Sequence, residues 1–178
     1  MTKSILACDP SITAFGWVVI SQTGQVMHRG CIQTKPSPKV NKIRKGDDRC
    51  RRITEINTIL LKLIRKYNIQ YIVAEQPHGS QSAVAAIMIG VMLGMLQTLA
   101  DTLDIGIEWY SEGESKQNIL GKKTAVKVEM INAIRKEYPE FPFKNVKYFD
   151  EAVADAMAVF HCAHTFSPVL KYLLNREL

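Results

Sequence analysis

Cysteine is scarce in this sequence and scattered. Four cysteines stand at positions 8, 31, 50 and 162, and no two form a C-x-x-C pair. The missing pairs argue against the common zinc-ribbon layouts, a chain of 178 residues needs no disulfide framework, and reduced thiols in an intracellular protein are expected. The "HCAH" run, His161 to His164, has metal-binding residue types but lacks further ligands at a suitable spacing, so a packed helix end is the preferred reading over zinc. The opening "MTKSILACDP" lacks a secretory signal layout. Internal repeats and low-complexity tracts are missing too. Charge is absent from Gln76 to Ala100, a stretch that contains the strongly apolar "AVAAIMIGVMLGML". Its length alone would allow a membrane span, but its first seven residues are polar or turn-forming and no second such run exists, so a buried central helix is expected. Ala86, Gly90 and Gly94 recur every four residues there and allow another helix, including one from a second subunit, to approach closely.

Positive charge, by contrast, is in excess. Lysine and arginine outnumber aspartate and glutamate by 23 to 17, a balance that favours an anionic partner such as nucleic acid. Eight of the basic residues fall between Lys35 and Arg52, against two aspartates, and Pro36 and Pro38 open the segment. The segment reads either as a solvated linker or as an arm that contacts phosphate through Lys42, Arg44 and Lys45.

The hydrophobic pattern gives an element order. "SILAC" (4–8), "AFGWVVIS" (14–21) and "QVMHRGCIQT" (25–34) read as strands, the last two joined at Thr23-Gly24 as a hairpin. A helix is expected over 50–67, a strand over 69–77, a helix over 82–103 and a strand over 106–110. A helix-prone basic stretch (112–136), a helix from Tyr148 to Ala163 and a terminal helix over 168–178 complete the order. A meander followed by helical crossovers predicts one α/β domain over 1–178: a five-stranded mixed sheet, three strands antiparallel and then two parallel, with helices on both faces.

Two strands end in acids. Asp9 follows the first and Glu75 closes the fourth, and parallel neighbours would bring both to the carboxyl edge where open α/β sheets place their ligands. The helix "YFDEAVADAMAVFHCA" carries Glu151 and Asp155 one turn apart on one side, with no lysine or arginine inside it to pair them. Taken singly, each acid has an ordinary reading: a turn residue at Asp9, a strand end at Glu75, a complement to the helix dipole at Glu151. Asp155 resists one, because it lies mid-helix between two alanines in an apolar run. Together, four carboxylates at one edge would repel strongly and call for cations; two Mg²⁺ ions would balance them. Two such ions about 4 Å apart suit phosphodiester hydrolysis.

The residues then resemble a known family. "ILACDPSITAFGWVVI", "RGCIQT", "IVAEQP", "YSEGESKQNILGKKTAVKVEMI" and "DEAVADAMAVFHCA" are similar, in order and over about residues 4–164, to motifs of the RuvC-type Holliday junction resolvases of the RNase H-like nuclease superfamily. The resemblance implies metal ligands at Asp9, Glu75 and Asp155 and lysines near the scissile phosphate at Lys116 and Lys127. It further implies Mg²⁺ as cofactor, with Mn²⁺ as a substitute, and an RNase H-like fold. The implied partner is four-way DNA, nicked symmetrically by a homodimer joined through the apolar helix 82–99. Lys122, Lys123 and His78 join the expected DNA contacts.

Three departures mark a divergent, phage-type member. The family commonly places its last two acids three apart, whereas Ala152 stands three before Asp155; Glu151 is the favoured fourth ligand and Asp150 the weaker one. Pro77-His78 occupies the region where the family often has a wedging aromatic. The 35–52 segment is unusually basic. Three rivals remain: an RNase H-type enzyme acting on RNA–DNA hybrids or other branched DNA, a junction-binding protein without catalysis, and an actin-like ATPase or sugar kinase. The last shares the Asp9…Gly16 opening, but 178 residues leave no room for its second lobe and 10 glycines supply no phosphate loop.

Overall fold

The computed structural model describes residues 3–174. Nine residues into the chain the backbone has already laid down its central strand. β1 (Ser4–Asp9) has β2 (Ala14–Ser21) antiparallel on one side and β4 (Ile69–Gln76) parallel on the other. β3 (Val26–Gln33) extends the meander beyond β2, and β5 (Gly106–Ser111) lies parallel to β4. The order β3-β2-β1-β4-β5 is the mixed sheet expected from the sequence.

Alternation along the strands divides the apolar residues between two cores. Leu6 and Cys8 of β1 and Ile72 and Ala74 of β4 face α1 (Lys45–Lys66) and α2 (Ala83–Thr102), with Ile56, Leu60, Met92 and Leu96. Ile5 and Ala7 of β1 and Tyr71 and Val73 of β4 face α5 (Lys147–Phe166), along with Ile134 of α4 (Lys127–Glu137). The next residue of each strand in this second set is Asp9 and Glu75. The packing of the core therefore assigns both acids to the α5 side.

Gly16 governs how closely α5 approaches. It pairs with Asp9 across β1 and β2, and a Cβ built on it would lie 2.1 Å from the carbonyl oxygen of Ala152. Only glycine lets the α5 backbone rest on the sheet at this point. Asp155 follows one helical turn later.

Several elements differ from the sequence reading. α1 starts at Lys45 rather than residue 50, because Asp47 and Asp48 sit in its first turn, where carboxylates complement the helix dipole. The basic stretch after β5 is two helices, α3 (Glu112–Leu120) and α4. Gly121 separates them in the left-handed conformation (φ 70°), and Ser111 and Glu114 form a capping box at the start of α3. A last helix, α6, spans Pro168–Leu174; the remainder of the expected 168–178 helix lies outside the described residues.

The expectation of a buried central helix needs correction. Only the second half of α2 is buried, at Met92, Leu96, Leu99 and Ala100. Its first half is exposed, with Val84 at 51% and Ile87 at 60%, and Val91 continues that stripe. By length and composition α2 is also the one described helix apolar enough to cross a membrane. Periodicity could not reveal this face, since every side of α2 is apolar and hydropathy alone does not say which side is covered.

Candidate active site

Asp9, Glu75 and Asp155 share one electrostatic environment at the carboxyl edge of the sheet. Glu75 is only 9% exposed and Asp155 only 6%. Burial raises the Glu75 carboxyl to about 9, with further upward pressure from Asp9, Asp155 and Glu112. Burial likewise raises Asp9 to about 7, helped by Asp155 and opposed by Lys127. Asp155 is raised too, first by burial, although Lys127 and Lys116 pull it back. Such mutual elevation marks carboxylates crowded where water cannot screen them.

Lys127, in the first turn of α4, donates a hydrogen bond to Oδ2 of Asp155. Burial alone would lower its pKa, but Asp155, with Asp9 and Glu75 behind it, raises it instead. The ammonium is the bonded counter-charge of the cluster, and the lysine side chain remains 53% exposed. Among the described residues, no three acidic, histidine or cysteine side chains are already gathered around one point that would hold an ion. The carboxylates share a field more than a finished coordination shell. Their chemistry nevertheless fits a hard divalent cation: the donors are all oxygen and clustered beyond what one ammonium neutralises.

The other sequence candidates separate clearly. Asp150 accepts a 2.9 Å hydrogen bond from the backbone N–H of Lys144 and is 4% exposed, so it holds the turn entering α5. Glu151 is half-buried on α5. Lys116 pairs with Glu112 one turn earlier on α3. A concavity of about 550 Å³ is lined by His78, Glu112, Lys116 and Lys123. Lys122 is paired with Glu129 at 2.6 Å. In the basic segment Lys42 and Lys45 are exposed, with Lys42 in the left-handed region at φ 51°. Arg44 pairs with Asp47 at 2.7 Å.

Two arginines of that segment serve the fold. Arg52 is buried and donates to Thr34 Oγ1 at 2.8 Å and to the Ile12 carbonyl at 3.1 Å, tying α1 to the loop that follows Asp9. Arg51 binds Asp48 at 2.9 Å and the Lys35 carbonyl at 2.8 Å. The "HCAH" run belongs to packing: His161 Nδ1 and the Tyr138 hydroxyl are 2.9 Å apart, and His164 stacks on Phe160.

The residue missed in the sequence is Glu112. It adds to the negative field at Asp9, Glu75 and Asp155. Its signal was present: it immediately follows β5, as Asp9 closes β1, and the β4–β5 register sets Ser111 beside Gln76.

Against the shoulder of Asp9 and Glu75 lies a mainly apolar cavity of about 410 Å³, bounded on the far side by Val84, Met88 and Met92 of α2.

Comparison with known proteins points in one direction. The family model described as "Crossover junction endodeoxyribonuclease RuvC" matches residues 5–163. A protein of that name from Bdellovibrio bacteriovorus is 28% identical over 183 aligned positions, covering 100% of this chain and 99% of its own. Another from Citrobacter koseri is 27% identical, covering 89% of this chain and 86% of its own. Among solved structures, Thermus thermophilus RuvC in complex with Holliday junction substrate superposes with a TM-score of 0.69 at 20% identity, over 92% of this chain and 93% of that one. The yeast mitochondrial Holliday junction resolvase gives 0.66 at 14% identity, over 98% and 82%.

Proposed function

Since the chain belongs to the RuvC family of crossover junction endodeoxyribonucleases, we propose that it cuts four-way DNA junctions by metal-dependent hydrolysis of the phosphodiester backbone. The observation that carries this reading is the placing of Asp9 and Glu75 on one face of adjacent parallel strands, in a common field with Asp155 and with Lys127 bonded to it.

Asp9, Glu75 and Asp155 are the residues that would hold Mg²⁺ or Mn²⁺, with Glu151 as a further candidate on α5. Bound there, a pair of such ions supplies an activated water and stabilises the departing 3′-oxygen. The protein's own part is to bring the phosphate to that edge and balance its charge. Lys127 is anchored through Asp155 yet half-exposed, so its ammonium can face a non-bridging phosphate oxygen. Lys116, paired with Glu112 on α3, also acts on Asp155 through its charge. Their positive charge matters most as negative charge builds on the phosphate.

Around this centre, Lys42, Lys45, Lys122 and Lys123 and the arginine at Arg44 supply phosphate contacts, with His78 beside the opening formed by Glu112 and Lys116. Arg44 and Lys122 enter such contacts only by leaving their carboxylate partners. A homodimer through the exposed half of α2 gives the second active edge needed for paired nicks, and the enzyme works inside the cell. The deciding experiment is metal-dependent nicking of a mobile four-way junction with product mapping. Paired symmetric nicks support the reading. Cleavage of RNA–DNA hybrids but not junctions replaces it with an RNase H-type activity, and junction binding that never leads to nicking in Mg²⁺ or Mn²⁺ removes catalysis.

A further inference from the structure

α5 carries no carboxylate three residues before Asp155, although Glu151 stands four before it. Three residues before Asp155 stands Ala152, whose carbonyl is pressed toward Gly16. Asp150 is committed to the Lys144 backbone. On the opposite flank, β5 runs parallel to β4 with Tyr110 beside Glu75 and Ser111 beside Gln76. The next residue is Glu112, the first of α3. It leaves the sheet at the same edge as Glu75, one strand over. Its Oε1 accepts a hydrogen bond from Lys116, and with Lys116 and His78 it lines a concavity at the start of α3.

We propose that Glu112 is a carboxylate of the catalytic edge, supplied by the β5–α3 corner where α5 has only Ala152, and that it joins Asp9, Glu75 and Asp155 in binding a divalent cation. This rests on the nuclease reading and extends it. Glu75 is buried without a counter-charge bonded to it among the described hydrogen bonds, whereas Glu112 holds an ammonium. Glu112 also acts on all three of the other acids from the β5 side. Cation entry therefore exchanges partners. Glu112 turns from Lys116 to the ion, and the freed ammonium becomes available to a phosphate oxygen. The partner exchange breaks no covalent bond, while carboxyls of the cluster that hold a proton give it up as the cation enters; the lysine is released only when the cation is in place. The capping box between Ser111 and Glu114 holds the start of α3 independently of Glu112.

The test measures Mn²⁺ affinity of the DNA-free protein by calorimetry, alongside junction cleavage, for wild type, Glu112→Gln, Glu112→Asp, Lys116→Met and Asp9→Asn. Glu112→Gln is expected to weaken Mn²⁺ binding by at least about tenfold, on the scale of lost support around a metal, and Glu112→Asp by less. Lys116→Met is expected to tighten Mn²⁺ binding, since it removes a competing cation, while lowering cleavage. If Glu112→Gln keeps wild-type Mn²⁺ affinity and loses only as much cleavage as Lys116→Met, Glu112 merely seats the lysine and the inference is overturned. With Asp9→Asn defective in both assays, that result would leave the nuclease reading standing. Conversely, loss of Mn²⁺ binding in both Asp9→Asn and Glu112→Gln, in a protein that never nicks DNA, would remove the nuclease reading and keep the cation site.

Discussion

The Lys127 ammonium and the Asp155 carboxylate, 28 residues apart in sequence, are joined by a hydrogen bond that links the first turn of α4 to the middle of α5. One partner is nearly buried and the other half-exposed. The lysine thus neutralises the acid and remains open to an incoming anion. Lys127→Met should lower the cleavage rate by about 10² to 10³, the usual cost of losing one charge-stabilising donor. Junction affinity should fall far less. Single-turnover rates beside binding isotherms will separate the two effects, and an unchanged rate would remove Lys127 from the chemistry.

Asp9→Asn should abolish cleavage and yet stabilise the metal-free protein. Burial and Asp155 oppose its negative charge, and a neutral isostere relieves that cost, by an amount on the order of 1–3 kcal/mol. The variant is expected to melt several degrees higher than wild type without metal, and to gain less from added Mg²⁺, because ligand stabilisation follows binding. A melting temperature lowered by the substitution would mean that Asp9 supports the fold.

Gly16→Ala should harm both folding and activity. Its new methyl group meets backbone rather than a movable side chain, so α5 must lift or the strand must bend. A loss of about 1–3 kcal/mol or more follows from such overpacking. Denaturant unfolding will measure it, and unaltered stability would show that α5 has slack over the sheet.

Asp48 sets an acid limit on the basic segment. Hydrogen bonds from the Ser37 and Arg51 side chains hold its carboxyl down at about 2, below the ordinary aspartate value near 4. Because the folded value is the lower one, the stabilisation is complete above about pH 4 and disappears as pH falls toward 2. Asp48→Asn should therefore flatten the stability profile in that window and loosen the contact at Ser37. Acid titration followed by circular dichroism compares the two proteins; parallel profiles would count against the assignment.

Val84, Ile87, Val91, Gly94 and Thr98 fall at alternating intervals of three and four along α2, the spacing of a helix-pairing seam. If the proposed homodimer pairs through this seam, Ile87→Glu should leave the protein monomeric where wild type pairs, with the folded helix content intact. Sedimentation velocity will read this directly, and an unaffected dimer would place the subunit contact elsewhere.

Much of this architecture was readable from sequence. The meander of β1 to β3 followed from alternation and a short turn, the parallel strands from the helical crossovers, and the ends of β1 and β4 pointed to Asp9 and Glu75. Less readable was anything set by which surface gets covered. α2 is apolar on all sides, so hydropathy could not tell its exposed half from its buried half. Basic residues were equally ambiguous. Arg51 and Arg52 look like Lys42 and Lys45 in a charge count, but Arg51 donates to the Lys35 carbonyl at the surface and buried Arg52 to the Ile12 carbonyl. Glu112 was hidden for a different reason. As the first residue of a helix it resembles routine dipole complementation, and only the side-by-side alignment of β4 and β5 brings it to the acid edge.

α2 has two faces, one toward the acids and one toward solvent. Met88 and Met92 close the hollow next to Asp9 and Glu75, while Ile87, one residue from Met88, looks outward. Rotating or sliding this rod to suit a sister molecule would reshape the wall beside the acids in the same movement. In the proposed dimer, one helix would therefore govern both how two copies fit together and how each receives its strand.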